Sequence, residues 1–83
     1  MENLNVDDYY NTSDMGLAAA LVFLGYGVQA IDDTTHRNRV EFVFKRDEKL
    51  DEFVERFFKR ELSVEPLGFF DSLKHIKSWL YRR

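Results

Sequence analysis

Two groups of basic and aromatic residues carry the binding chemistry this chain has to offer. His36, Arg37, Asn38 and Arg39, with Lys45 and Arg46 a few positions on, set guanidinium forks and an amide beside a hairpin tip. That is the donor set that reaches phosphates and base edges. Lys74, His75, Lys77, Trp79, Tyr81, Arg82 and Arg83 form a second basic, partly aromatic group that could dock on a phosphate backbone or on an acidic protein surface. Each group also has a plainer explanation. Arginines flanking a strand discourage pairing with other chains, and cations in the last turn of a helix complement its dipole.

Metal and acid–base chemistry have less to work with. Asp32, Asp33 and His36 could approach a divalent ion, but a third and fourth ligand are lacking. His75 stands four residues after Asp71, the spacing of an intrahelical pair. There is no Cys nucleophile, the serines fall at caps or on helix surfaces, and no glycine-rich loop follows a strand. Gly25-Tyr26-Gly27 closes a helix instead of opening one. The expectation is a protein that is not an enzyme, with no catalytic residue, metal or cofactor.

The elements that must position these residues are legible in the spacing. Thr12-Ser13-Asp14 precedes Leu17 to Leu24, a run without charge. Thr12 or Ser13 can accept from the first-turn amides, Asp14 complements the dipole, and Gly25 suits the left-handed residue that ends a helix. This helix, from about Ser13 to Leu24, is apolar on nearly every side and belongs between a sheet and another helix. Residues 28–31 and 39–45 form an antiparallel pair, with a first strand somewhere in residues 6–11. In the second segment Val40, Phe42 and Phe44 alternate with Arg39, Glu41 and Lys45, and Val43 breaks the alternation mildly. Asp47 opens a second helix whose Leu50, Phe53, Val54, Phe57 and Phe58 make a regular stripe running toward Leu62. Pro66 suits the first turn of a third helix, with Phe69, Phe70, Leu73, Ile76 and Leu80 as its apolar positions. The phenylalanines of both helices read most simply as core against Val40, Phe42 and Phe44.

Composition limits the function classes. One domain of 83 residues must use every apolar side chain, and eight Phe, four Tyr and one Trp supply large areas for burial. The absence of cysteine fits a reducing compartment, with the cytoplasm as the default. The acidic start does not read as a signal peptide, and the apolar block at 15–24 is about half the roughly 20 residues that span a bilayer, so no membrane role is expected. Residues 1–35 carry six acids and no Lys or Arg, whereas all twelve basic residues lie from Arg37 onward, beside nine acids. The overall charge of −3 weighs against affinity dominated by phosphate contacts.

The order Thr12-Ser13-Asp14, Leu17-Ala18-Ala19-Ala20-Leu21, Gly25-Tyr26, Asp32, Arg39-Val40-Glu41-Phe42-Val43-Phe44, then Pro66, Phe70, Leu73 and Lys77 resembles a family of small bacterial and phage domains of unknown function. The resemblance covers about residues 10–81. It rests on core and cap residues, so it implies one fold and no particular activity. The segment Asp33-Thr34-Thr35-His36 departs from the shorter turn associated with that family.

The fold expected is α+β in the order β-α-β-β-α-α, a single domain over 1–83 that is compact from about 9 to 81 and loose over 1–8. The function expected is a non-catalytic interaction module that binds a protein partner or self-assembles, a homodimer included. The alternative is an accessory nucleic-acid binder. The residues expected to serve either role are His36, Arg37, Arg39, Lys74, Lys77, Trp79, Tyr81 and Arg82.

Overall fold

Phe42 and Phe44 alternate with Glu41, Val43 and Lys45, and this alternation builds the central strand. A computed structural model describes residues 8–33 and 40–81. Within them lie β1 (Tyr9–Thr12), α1 (Met15–Phe23), β2 (Val28–Asp32), β3 (Glu41–Lys45), α2 (Glu48–Phe58) and α3 (Pro66–Tyr81). This is the α+β order expected. The described strands form one antiparallel sheet in the order β1-β3-β2. Phe42 sits between Thr12 and Ile31, and Phe44 between Tyr10 and Val28. Both phenylalanines are fully buried on the helix-covered face, each contributing about 1.5–3 kcal/mol. Val43 points to the opposite face yet is also buried, because Asn11 and Ala30 flank it on the two neighbouring strands.

Helix α1 occupies the middle of the molecule. Leu17 through Leu21 are all 0–2% exposed, and five consecutive helical residues point in every direction around the axis. The helix is therefore enclosed, with Phe42 and Phe44 from the sheet, Leu50 from α2 and Ile76 from α3 in one core cluster. Its start differs from the expectation. Asp14, rather than Thr12 or Ser13, accepts from a first-turn amide (Leu17 N, 3.0 Å), while Thr12 Oγ1 accepts from Asp14 N. Thr12 is thus spent on shaping the approach to the cap. At the far end Gly25 has φ 105°, with Gly25 N donating to Val22 O and Tyr26 N to Leu21 O. These two bonds make a Schellman closure.

Asp47 caps α2 by accepting from Leu50 N at 2.7 Å. The helix ends at Phe58, about a turn before the expected Leu62. Arg60 adopts φ 62°, and Glu61 N returns to Arg56 O while Arg60 N returns to Phe57 O. The same closure thus ends α2 as ends α1, with an arginine where α1 has glycine. Of the two i,i+4 ion pairs the spacing allows, Glu55–Lys59 forms at 3.0 Å, while no Glu52–Arg56 bridge forms.

Helix α3 begins with Pro66 in its first turn, as expected. Glu65 supplies the cap, its two carboxylate oxygens accepting from Leu67 N at 2.9 Å and Gly68 N at 2.7 Å. Gly68 is where α3 approaches α1. A Cβ there would stand 2.6 Å from Cε1 of Phe23. The phenylalanine stripes are only partly core. Phe53, Phe57 and Phe69 pack on the cluster, whereas Phe58 and Phe70 are turned to solvent.

Candidate functional site

An α-helix turns once every 3.6 residues, so positions 67, 70, 74, 77 and 81 fall within one narrow band along α3. That band is occupied by Leu67, Phe70, Lys74, Lys77 and Tyr81, all exposed. The core side of the same helix carries Ser72 and Ile76, with Phe69, Leu73 and Leu80 beside them. Leu67 is 74% exposed, Phe70 56% and Tyr81 82%, and together with Phe58 they are the large exposed hydrophobics among the described residues. Three of those four therefore share one ridge about 21 Å long, at 1.5 Å rise per residue. Two lysines stand in its middle, and among the described residues neither makes an ion pair.

This arrangement divides the residues expected from sequence. Lys74, Lys77 and Tyr81 come together on the ridge. Trp79 does not join them. It turns toward the sheet, where with Val28, Gln29, Ala30 and Ile31 it lines a shallow depression of about 210 Å³. Its ring also lies 5.9 Å from that of His75. The Asp71–His75 pair is not formed, and His75 meets Trp79 instead. His36, Arg37, Arg39 and Arg82 lie outside the described residues.

By sequence Phe70 counts among the apolar core positions of α3 and Leu67 is not singled out, yet both are exposed. Their signal was the second register, in which apolar residues and lysines repeat at i, i+3, i+7, i+10 and i+14 beside the buried stripe.

The β2 depression is a weaker docking surface. It is smaller than the roughly 300–1,000 Å³ of ordinary ligand sites. β2 is an edge of the described sheet, but Gln29 is an extra residue between the Val28–Phe44 and Ala30–Val43 pairs. A bulge at an edge twists the strand and hinders the addition of another.

The perturbed titrating groups lie elsewhere, where α2 meets the end of α1. Tyr26 donates its hydroxyl to Asp47 Oδ1 at 2.7 Å, and its ring meets Phe53 edge-on at 6.4 Å. Burial, that hydrogen bond and the negative charges of Asp47 and Asp51 push the Tyr26 phenol up to about 12. The Leu50 amide and the Tyr26 hydroxyl hold the Asp47 carboxyl below its usual range. Burial, then Asp14 and Asp51, raise the Tyr10 phenol. These shifts move the groups away from neutrality, the reverse of what a general acid or base needs. Tyr26 and Asp47 act as a latch between helices. Among the described residues no group of three or more His, Asp or Glu is placed to hold a metal ion, and no helix is long and apolar enough to cross a membrane.

Residues 7–82 match the family model described as a domain of unknown function, DUF5659. The chain belongs to that family. No curated protein and no solved structure matches it. The DUF5659 match takes in all six elements, so the α3 ridge lies within the family domain. A small domain of unknown function is what the resemblance in the sequence implied.

Proposed function

We propose that this DUF5659 domain is a non-catalytic interaction module that docks a protein partner, a second copy of itself included, through the outer ridge of α3. The observation that carries this reading is the alignment of Leu67, Phe70 and Tyr81 with Lys74 and Lys77 on one exposed helix face. A surface helix with no binding role ordinarily turns such apolar side chains inward, and contiguous exposed apolar surface marks interaction sites. Aromatic anchors such as Phe70 and Tyr81 supply most of the energy of such contacts, and the lysines select an acidic partner. The setting we propose is the bacterial cytoplasm, the bacterial or phage origin resting on the resemblance and the compartment on the absence of cysteine.

Nucleic acid is the competing occupant, since Lys74 and Lys77 could meet phosphates and Tyr81 could stack on a base. The apolar half of the ridge and the net charge of −3 favour protein. The experiment compares wild type with Phe70→Ala/Tyr81→Ala as immobilised bait, alongside titrations with mixed-sequence duplex and single-stranded nucleic acid at two salt concentrations. A protein retained by wild type and lost from the variant supports the reading. Equal retention by both overturns the site, and salt-sensitive nucleic-acid binding that depends on Lys74 and Lys77 overturns the partner class.

A further inference from the structure

We infer that the α3 ridge takes the acidic ridge of α2 from a second copy of this chain, laid antiparallel along it. This rests on the reading of the α3 ridge as a docking surface and names its occupant. On α2 the core side is Leu50, Phe53, Val54 and Phe57, and the exposed side carries Glu48, Asp51, Glu55 and Phe58. Those four positions repeat at i, i+3, i+7 and i+10, the same spacing as Leu67, Phe70, Lys74 and Lys77 on α3. Two helices that share this spacing can pack ridge to ridge over three turns.

Direction decides the chemistry. Laid antiparallel, Phe58 meets Leu67, Asp51 meets Lys74 and Glu48 meets Lys77. That is one apolar contact at one end and two opposite-charge contacts at the other. The remaining position sets Glu55 against Phe70, and Glu55 already binds Lys59 on its own helix at 3.0 Å. Asp51 holds Arg46 through Oδ1 at 2.9 Å, and a carboxylate can accept a further donor on its second oxygen. Laid parallel, Glu48 would face Leu67, Asp51 would face Phe70 and Phe58 would face Lys77, which leaves a single favourable pair. Two α3 ridges laid antiparallel about their midpoint would set Lys74 against Lys74, a like-charge contact. The complement to the α3 ridge is therefore present on the chain itself, on a different helix.

Two copies either exchange both contacts in a closed, isologous pair, or engage head to tail in a heterologous contact that propagates as a ring or chain. A contact of three helical turns is small, so association is weak and is read by sedimentation velocity across a concentration series reaching about 1 mM.

The test is charge exchange. K74E/K77E makes both ridges acidic, and E48K/D51K makes both basic. Each variant alone should lose association by about tenfold or more, and an equimolar mixture should recover it, because each acidic ridge again finds a basic one. Circular dichroism checks folding. Should E48K/D51K fail to fold, F58S replaces it, and weaker association of this exposed variant is the expected result. A wild type that stays monomeric throughout the series, variants that associate as well as wild type, or folded variants whose mixture does not recover association would each overturn the pairing. Loss of the pairing together with capture of another protein through Phe70 and Tyr81 would leave the docking reading standing. Loss of both would remove it.

Discussion

Replacing Arg60 by glycine should stabilise the domain, although it deletes a charged side chain. Arg60 holds φ 62° so that Glu61 N can reach Arg56 O at 2.8 Å and its own amide can reach Phe57 O at 3.1 Å. A residue with a Cβ is strained in that left-handed geometry by roughly 1–2 kcal/mol. Glycine removes the strain but has a freer unfolded chain, which offsets about 0.5–1 kcal/mol of the gain. The net is a stabilisation of about 0.5–1 kcal/mol. In a domain of this length that raises Tm by roughly 2–8 °C. The Arg60 side chain is exposed, and Arg60→Ala, which keeps the strain and removes the charge, should stay within about 0.5 kcal/mol of wild type. Urea unfolding of the three proteins, followed by circular dichroism with a common m-value, measures the difference directly. If Arg60→Gly is no more stable than Arg60→Ala, which also lacks the charged side chain, the backbone argument is refuted.

Gly25→Ala is the mirror experiment: at φ 105° with nothing within 4 Å of the added Cβ, backbone strain of about 1–2 kcal/mol, offset by about 0.5–1 kcal/mol from the less free unfolded chain, should destabilise it by about 0.5–1 kcal/mol, read by the same unfolding curves. Gly68→Ala should also destabilise, by up to about 2 kcal/mol, because overpacking of about 1–3 kcal/mol against Phe23 at 2.6 Å exceeds the gain of about 1 kcal/mol in helix propensity. A smaller side chain in Phe23→Leu should relieve much of that loss, and a Gly68→Ala variant stabilised by the full gain of about 1 kcal/mol would show that the Phe23 ring swings aside without cost. Spectrophotometric titration should find one tyrosine, absent from Tyr26→Phe, that ionises near pH 12. Its proton is held in the fold, so its stabilising contribution is complete below pH 10.0 and is lost as pH rises from there through about 12. Asp47 runs the other way: its lowered pKa means its contribution is present above pH 3.8 and is lost as pH falls below that value, and Asp47→Asn should flatten that acid limb.

Local chemistry determined the elements. The cap at Asp47, the proline at position 66 in the first turn of α3 and the stop at Gly25 act over one helical turn, and the alternation of Phe42 and Phe44 is visible in five residues. These features were readable because hydrogen bonds and side-chain periodicity within an element involve only near neighbours. The end of α2 was not, because a left-handed arginine at position 60 carries no glycine signal.

The surface was decided by packing across elements. Phe69 and Phe70 are adjacent, about 100° apart on α3, and only one can face the core. Gly68 against Phe23 fixes the approach of α3 to α1 and with it the rotation of α3 that buries Ile76 and turns Phe70 outward. The same rotation sends Trp79 to β2, away from Lys74, Lys77 and Tyr81, which share its segment of sequence. From the sequence alone the domain's order, its strands and the cap at Asp47 follow. Which of two apolar registers on one helix remains in water is a property of three packed helices, because burial depends on what lies opposite and no local interaction records that.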